Sequence, residues 1–134
     1  METEHANNPD AAIGKAQPSV LVVDDELNFV ILLDRVLTKK GYQVKTATSA
    51  EQALGLIGEQ ATFDLAVIDI RMEPMDGLCL LAELKQRLPH LKCIMLTAYP
   101  TYETRMTSVQ KGASAYFTKP VELGTFLDTV RQLS

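Results

Sequence analysis

The chain has 134 residues, 17 acidic against 13 basic side chains, a formal net charge of -4, 46% hydrophobic and 22% charged content. That length suits one domain with a core large enough to stand without staples, and two cysteines are too few for a disulfide framework or a zinc site. The acidic balance, with no basic run, argues against nucleic-acid contact by this domain, and the apolar runs at 29–33 and 78–82 are far short of the roughly 20 residues that span a bilayer.

Residues 1–16 mix Glu2, Glu4, Asn7, Asn8, Pro9 and Asp10 with no basic or apolar stretch. They are expected to be a flexible N-terminal tail and not a secretory signal, which makes a cytoplasmic location the default expectation. Residues 17–134 are expected to be one domain. In it, short β-rich runs alternate with helical patterns, each pair occurring five times, which predicts a (βα)5 parallel sheet covered by helices on both faces.

The first strand is expected at 20–23. The following helix places Phe29, Leu32, Leu33, Val36 and Leu37 on one face, and Gly41 is its left-handed stop. A second strand at 42–46 leads to a helix capped by Ser49, with Gln52 completing a capping box and Ala50, Ala53, Leu54 and Ile57 facing inward. Residues 65–68 form an unbroken apolar run ending in Asp69, as expected of a central strand buried on both faces. Leu80, Leu81, Leu84 and Leu88 make the stripe of the third helix, which Pro89 ends. The fourth strand, 93–96, closes at Thr97. The fourth helix, 101–111, has the weakest stripe (Tyr102, Met106, Val109), so it is expected to be loosely held, and it stops at Gly112. A fifth strand at 115–117 precedes a helix with Phe126, Leu127, Val130 and Leu133 inward. Cys79 and Cys93 are expected as buried, reduced thiols.

The strand ends carry the chemistry: Asp24 and Asp25 after the first, Asp69 after the third, Thr97 after the fourth, Lys119 after the fifth. In open α/β sheets ligands bind outside the carboxyl ends of the strands, so these side chains should ring one pocket. Three carboxylates there repel one another by roughly 4 kcal/mol per pair at about 4 Å and an effective dielectric near 20. Lys119 alone does not neutralise them; a hard divalent cation, Mg²⁺, fits the remainder. Taken singly, each residue has a plainer reading, the aspartates as caps, Thr97 and Tyr116 as core, Lys119 as surface. Their convergence on one edge is what favours a site.

Four segments, Val-Leu-Val-Val-Asp-Asp-Glu at 20–26, Val-Ile-Asp-Ile-Arg-Met-Glu-Pro-Met-Asp-Gly at 67–77, Leu-Thr-Ala-Tyr at 96–99 and Lys-Gly-Ala-Ser-Ala-Tyr-Phe-Thr-Lys-Pro at 111–120, carry a resemblance. In this order and spacing the chain resembles the receiver domain of bacterial response regulators over 18–134. The resemblance implies a flavodoxin-like, doubly wound sheet of order 2-1-3-4-5. It implies a two-component phosphorelay role, with Asp69 accepting a phosphoryl group from a sensor histidine kinase or histidine phosphotransfer protein. Mg²⁺ would be held by Asp24, Asp25, Asp69 and the backbone carbonyl of Arg71, with Asp24 acting through water. Thr97 and Lys119 would contact phosphoryl oxygens, Tyr116 would be the switch aromatic beside Thr97, and the Lys119–Pro120 bond would be cis. The output surface would be the fourth helix, fifth strand and fifth helix, with homodimerisation on phosphorylation as a further expectation and no membrane or nucleic-acid partner for this domain. A site of acids, one metal and one lysine suits phosphoryl transfer, which needs positioning and charge neutralisation more than a histidine base; His5 and His90 lie elsewhere.

Two departures from the family pattern stand out. The proline of the loop after Asp69 falls one place late, at Pro74, and the positions that tune phosphoryl hydrolysis hold Arg71 and Tyr99, both large, which implies slow self-dephosphorylation. The Leu-Thr-Ala-Tyr segment with Glu103 and Thr104 is nearest in character to receivers of nitrogen-regulation-type transcription activators. A stand-alone regulator and a piece of a longer one are both left open. Among rivals, a haloacid-dehalogenase-type phosphatase needs an acid where Arg71 stands, and an FMN carrier needs a phosphate-binding first loop that Asp24, Asp25 and Glu26 would repel. A degenerate receiver, acting as an interaction module without phosphorylation, is the alternative that shares every structural expectation.

Overall fold

The computed structural model describes residues 17–59 and 62–134, so the tail expected at 1–16 lies outside the described residues. The elements alternate as β1 Ser19–Val23, α1 Leu27–Lys39, β2 Gln43–Ala47, α2 Ala50–Glu59, β3 Leu65–Asp69, α3 Gly77–Arg87, β4 Lys92–Thr97, α4 Tyr102–Gln110, β5 Ala115–Thr118 and α5 Leu123–Leu133. The strands form one parallel sheet in the order β2-β1-β3-β4-β5. The first connection leads to one edge and the next leads back past β1, so the chain reverses its winding between β1 and β3. That reversal opens a crevice at the carboxyl ends of these two strands.

Every residue of β3 is buried, as its unbroken apolar run predicts. Alternation along the strands splits the core in two. Val20, Val22, Leu65, Val67, Ile94 and Leu96 face α1 and α5, where Leu33, Leu37, Phe126 and Val130 meet them. Leu21, Val23, Ala66, Ile68, Cys93 and Met95 face the other way, onto Ala53, Ile57, Leu80, Leu81 and Leu84 of α2 and α3. Each fully buried aliphatic side chain contributes roughly 1.5–3 kcal/mol over its exposed state.

Gly41 ends α1 with φ of 100° and Gly112 follows α4 with φ of 96°, both left-handed as the helix stops require. Several expectations are corrected. Leu32 is 44% exposed, and Val30 takes the buried place instead, because the inward stripe of α1 runs Val30, Leu33, Leu37. Leu54 faces inward as expected, half-buried against the core on the α2 and α3 side. Ser49 does cap α2 by accepting from the Gln52 N–H at 3.1 Å, but the Gln52 side chain reaches back to Thr48, whose N–H donates to it at 2.8 Å, so the box closes one residue early. Cys79 is exposed on α3, opposite its inward leucines, whereas Cys93 is buried and its thiol is pushed up to about 12 by burial.

The fourth helix departs furthest from its expected stripe. Tyr102 and Val109 are 79% and 59% exposed, and only Ser108 is buried, its hydroxyl donating to the Thr104 carbonyl at 2.7 Å. The Glu73–Pro74 and Lys119–Pro120 bonds are both cis. Among the described residues no helix is long and apolar enough to cross a membrane.

Candidate functional site

Parallel pairing brings the ends of β1, β3, β4 and β5 to one rim, and backbone bonds continue past the strands to fix the loops there. The Asp24 N–H donates to Ala47 O at 3.1 Å, the Ile70 N–H to Leu96 O at 2.9 Å, and the Lys119 N–H to Thr97 O at 2.8 Å. Gly77, opening α3, donates to Ile70 O at 2.7 Å. A Cβ at that glycine would meet the Asp69 carbonyl oxygen and lie 2.8 Å from Ile70 Cα, so the close approach of helix and loop requires glycine. The loop carrying Asp69 is therefore pinned from both sides.

Asp24, Asp25 and Asp69 each bring a carboxylate oxygen to within 4.8 Å of the others. Asp24 and Asp69 are buried and Asp25 is exposed. Both oxygens of Asp24 are engaged: Oδ1 accepts from the Glu26 N–H at 2.9 Å and Oδ2 from Lys119 Nζ at 2.7 Å. The same ammonium lies 3.6 Å from Asp69 and 3.6 Å from Glu26. Beneath it is the ring of Phe29, with its centroid 4.6 Å from Nζ.

Burial, followed by the negative charge of Asp24, pushes Asp69 up to about 6, against the pull of Lys119. Burial likewise raises Asp24, outweighing its hydrogen bonds from Lys119 and the Glu26 backbone. For Lys119, burial pulls downward, but its bond to Asp24 and the charges of Asp24, Asp69 and Glu26 leave it above the ordinary lysine value. Three clustered carboxylates against one ammonium leave two negative charges in excess when all are ionised. An oxygen-rich, over-negative cluster with an exposed member is the donor set a hard divalent cation takes, so the residues fit Mg²⁺.

Asp25, Asp69 and Lys119 open into a cleft of about 400 Å³ that Arg71 and Tyr99 also line. The Arg71 guanidinium stacks 4.5 Å from the Tyr99 ring centroid. Thr97 is fully buried, and its hydroxyl oxygen accepts from the Tyr99 N–H at 3.0 Å. The structure thus gathers Asp24, Asp25, Asp69 and Lys119 directly, with Arg71 at their rim. Thr97 stands at the end of the adjoining strand. Tyr116 is half-buried on β5, and its hydroxyl lies 2.7 Å from that of Thr104 on α4.

Sequence reasoning did not assign Glu26, Phe29, Gly77 or Thr104 to the site or its supports. Adjacency to Asp24 and Asp25 could have flagged Glu26. Phe29 and Thr104 act through contacts that carry no sequence period.

A family model described as the response regulator receiver domain matches residues 20–131. Transcriptional regulatory protein ZraR of Escherichia coli (strain K12) is 36% identical over 113 residues, covering 84% of this chain and 25% of that protein. The chain therefore spans about a quarter of the length of that curated relative. Sporulation initiation phosphotransferase F of Bacillus subtilis (strain 168) is 32% identical over 113 residues, 84% of this chain and 90% of its own. Among solved structures, response regulator protein TrrA from Thermotoga maritima, in complex with Mg²⁺-BeF, superposes with a TM-score of 0.79 at 32% identity, covering 88% of this chain and 100% of that one. The fold, the rim of acids and these relatives agree: the chain belongs to the response regulator receiver domain family, the signalling switches of two-component systems, which are not classical enzymes.

Proposed function

We propose that this chain accepts a phosphoryl group on Asp69 from a phosphohistidine of a sensor kinase or histidine phosphotransfer protein, in a Mg²⁺-dependent reaction. The gathering of Asp24, Asp25 and Asp69 into one cluster, with the half-buried ammonium of Lys119 against two of them, supports this reading above all. Asp69, with its pKa near 6, is ionised at neutral pH and carries the attacking lone pair. Its oxygen forms the new bond to phosphorus as the phosphorus–nitrogen bond breaks, and the histidine ring nitrogen keeps that electron pair. Asp24, Asp25, Asp69 and the Arg71 carbonyl would hold Mg²⁺, which when bound supplies positive charge for the phosphoryl oxygens. Complex formation between TrrA and Mg²⁺-BeF supports a cation and a phosphoryl-like group at the corresponding rim.

Lys119 is positioned to exchange its bond to Asp24 for one to a phosphoryl oxygen, and the Thr97 hydroxyl to turn from the Tyr99 amide to another. Movement of Thr97 leaves room for Tyr116, and the α4–β5–α5 face changes with it. That face is the output surface in this reading, with homodimerisation as one readout, a cytoplasmic location and no nucleic-acid contact by this domain. The test is incubation with acetyl phosphate and Mg²⁺, followed by intact mass. Wild type is expected to gain one phosphoryl group, and Asp69→Asn none. If wild type gains no mass although it folds and binds Mg²⁺, the degenerate interaction module is the better reading.

A further inference from the structure

The first turn of α4 grips Tyr116 at two points. The Thr104 hydroxyl lies 2.7 Å from the Tyr116 hydroxyl, and the guanidinium of the next residue, Arg105, covers the ring at 4.6 Å from its centroid. Thr104 is also part of the N-terminal cap of α4. Its N–H donates to the Thr101 hydroxyl at 3.0 Å, the Thr101 N–H donates to its hydroxyl oxygen at 3.3 Å, and its own hydroxyl reaches the Thr101 carbonyl at 3.2 Å. A hydroxyl has one proton and two lone pairs, so Thr104 shares one set of bonds between the helix cap and Tyr116. Thr104 further lines a cleft of about 610 Å³ together with Asp25, Arg71 and Tyr99.

We propose that Thr104 is a positioning residue that latches Tyr116 against α4, and so sets how much of the free chain already occupies the conformation that binds a phosphoryl group. The inference rests on Tyr116 being the moving aromatic of the proposed function. When Tyr116 leaves, Thr104 does not become an orphan: its hydroxyl returns wholly to Thr101. The latch therefore opposes switching by an exchange of hydrogen bonds, a modest cost. The helix it belongs to buries only Ser108 and can follow the ring. A ligand that binds only the unlatched state pays for the latch in apparent affinity, because its dissociation constant is divided by the competent fraction.

Beryllofluoride with Mg²⁺ is the probe, titrated against wild type, Thr104→Val, Thr104→Ser and Tyr116→Phe, with the signals of the aromatic ring at position 116 followed by NMR with and without probe. Loss of one such hydrogen bond is expected to tighten apparent binding roughly two- to tenfold in Thr104→Val. The ring signals of the free variant should move toward the bound positions. Thr104→Ser keeps the hydroxyl and should behave as wild type. Tyr116→Phe keeps the cap of α4 intact and removes only the latch, so it should tighten binding to a similar degree, with no further gain in the double variant. Tightening in Thr104→Val without tightening in Tyr116→Phe would make Thr104 a cap alone and overturn the latch, as would unchanged affinity and ring signals in both. Absence of beryllofluoride binding by wild type would instead defeat the phosphoacceptor reading; in that case ring signals of free Thr104→Val that match those of wild type would still overturn the latch, and signals that move while those of Thr104→Ser stay in place would still support it.

Discussion

The ring of Phe29, on the first helix, lies under the ammonium of Lys119, beyond the last strand, at 4.6 Å from its centroid. The ammonium is thereby bounded by a π face on one side and by Asp24, Asp69 and Glu26 on the others. A lysine with four-carbon freedom is costly to order, and a fixed aromatic floor lowers that cost while leaving the head free to change oxygen partners. A double-mutant cycle of Phe29→Leu and Lys119→Met is expected to show a coupling of about 0.5–1 kcal/mol in urea unfolding. Additive effects would mean that the ring merely packs.

Asp69 carries a penalty, from burial first and from the charge of Asp24 second, that depends on pH. Its folded pKa, near 6, lies above the ordinary value of 3.8, so between these values the folded chain binds more protons than the unfolded one. Its contribution to stability is present below the lower value and is lost as pH rises through the upper one. Asp69→Asn removes the charge, so the variant should match wild type near pH 3.5 and exceed it by on the order of 2–3 kcal/mol above about pH 7. Mg²⁺ competes with the proton, so in wild type its stabilising effect should shrink as pH falls below about 6. Urea unfolding across this range, with and without Mg²⁺, reads both effects; a pH-independent difference between the proteins would contradict the penalty.

Gly77 and Gly55 make opposite predictions from the same substitution. At Gly77 an added methyl group meets the Asp69 carbonyl and Ile70 backbone, neither of which can yield without moving the loop that carries Asp69. Gly77→Ala is expected to cost about 1–3 kcal/mol and to shift the Asp69 and Ile70 amides in NMR spectra. Gly55, inside the second helix, has nothing within 4 Å of the new atom. Gly55→Ala should stabilise by about 0.5–1 kcal/mol through helix propensity. Equal effects at the two positions would refute the steric account of Gly77.

What the sequence made legible follows from local physics. The buried run of Leu65 to Asp69, the helix stops at Gly41 and Gly112 and the polar residues at strand ends are each written in neighbouring residues, and the parallel order then brings the ends together. The failures share a different cause. Leu32 and Val30 lie two places apart on one helix and are both apolar, so a stripe can be drawn through either; only the crossing of the first helix over the sheet selects Val30. Cys79 follows the apolar Leu78 but points away from the leucine stripe of its helix. The contacts of Phe29 with Lys119 and of Thr104 with Tyr116 join different elements, and no periodicity within either element encodes them.

Arg71 and Tyr99 form a stacked pair at the mouth of the cleft that holds Asp69, the guanidinium 4.5 Å from the ring centroid. Hydrolysis of a phosphoryl group on Asp69 requires water to approach phosphorus opposite the Asp69 oxygen, and a paired, bulky rim narrows that approach. The guanidinium is also held on the ring instead of swinging free, so removing either partner should loosen both. Arg71→Ala and Tyr99→Ala are each expected to speed loss of the phosphoryl group by roughly tenfold, about 1.4 kcal/mol in the barrier. The double variant should gain little more, because the pair acts as one obstacle. Single-turnover decay of the purified phosphoprotein measures this directly. Decay of wild type within seconds would show that the rim does not control the water, and multiplicative gains in the double variant would show that the two residues act separately and not as a pair.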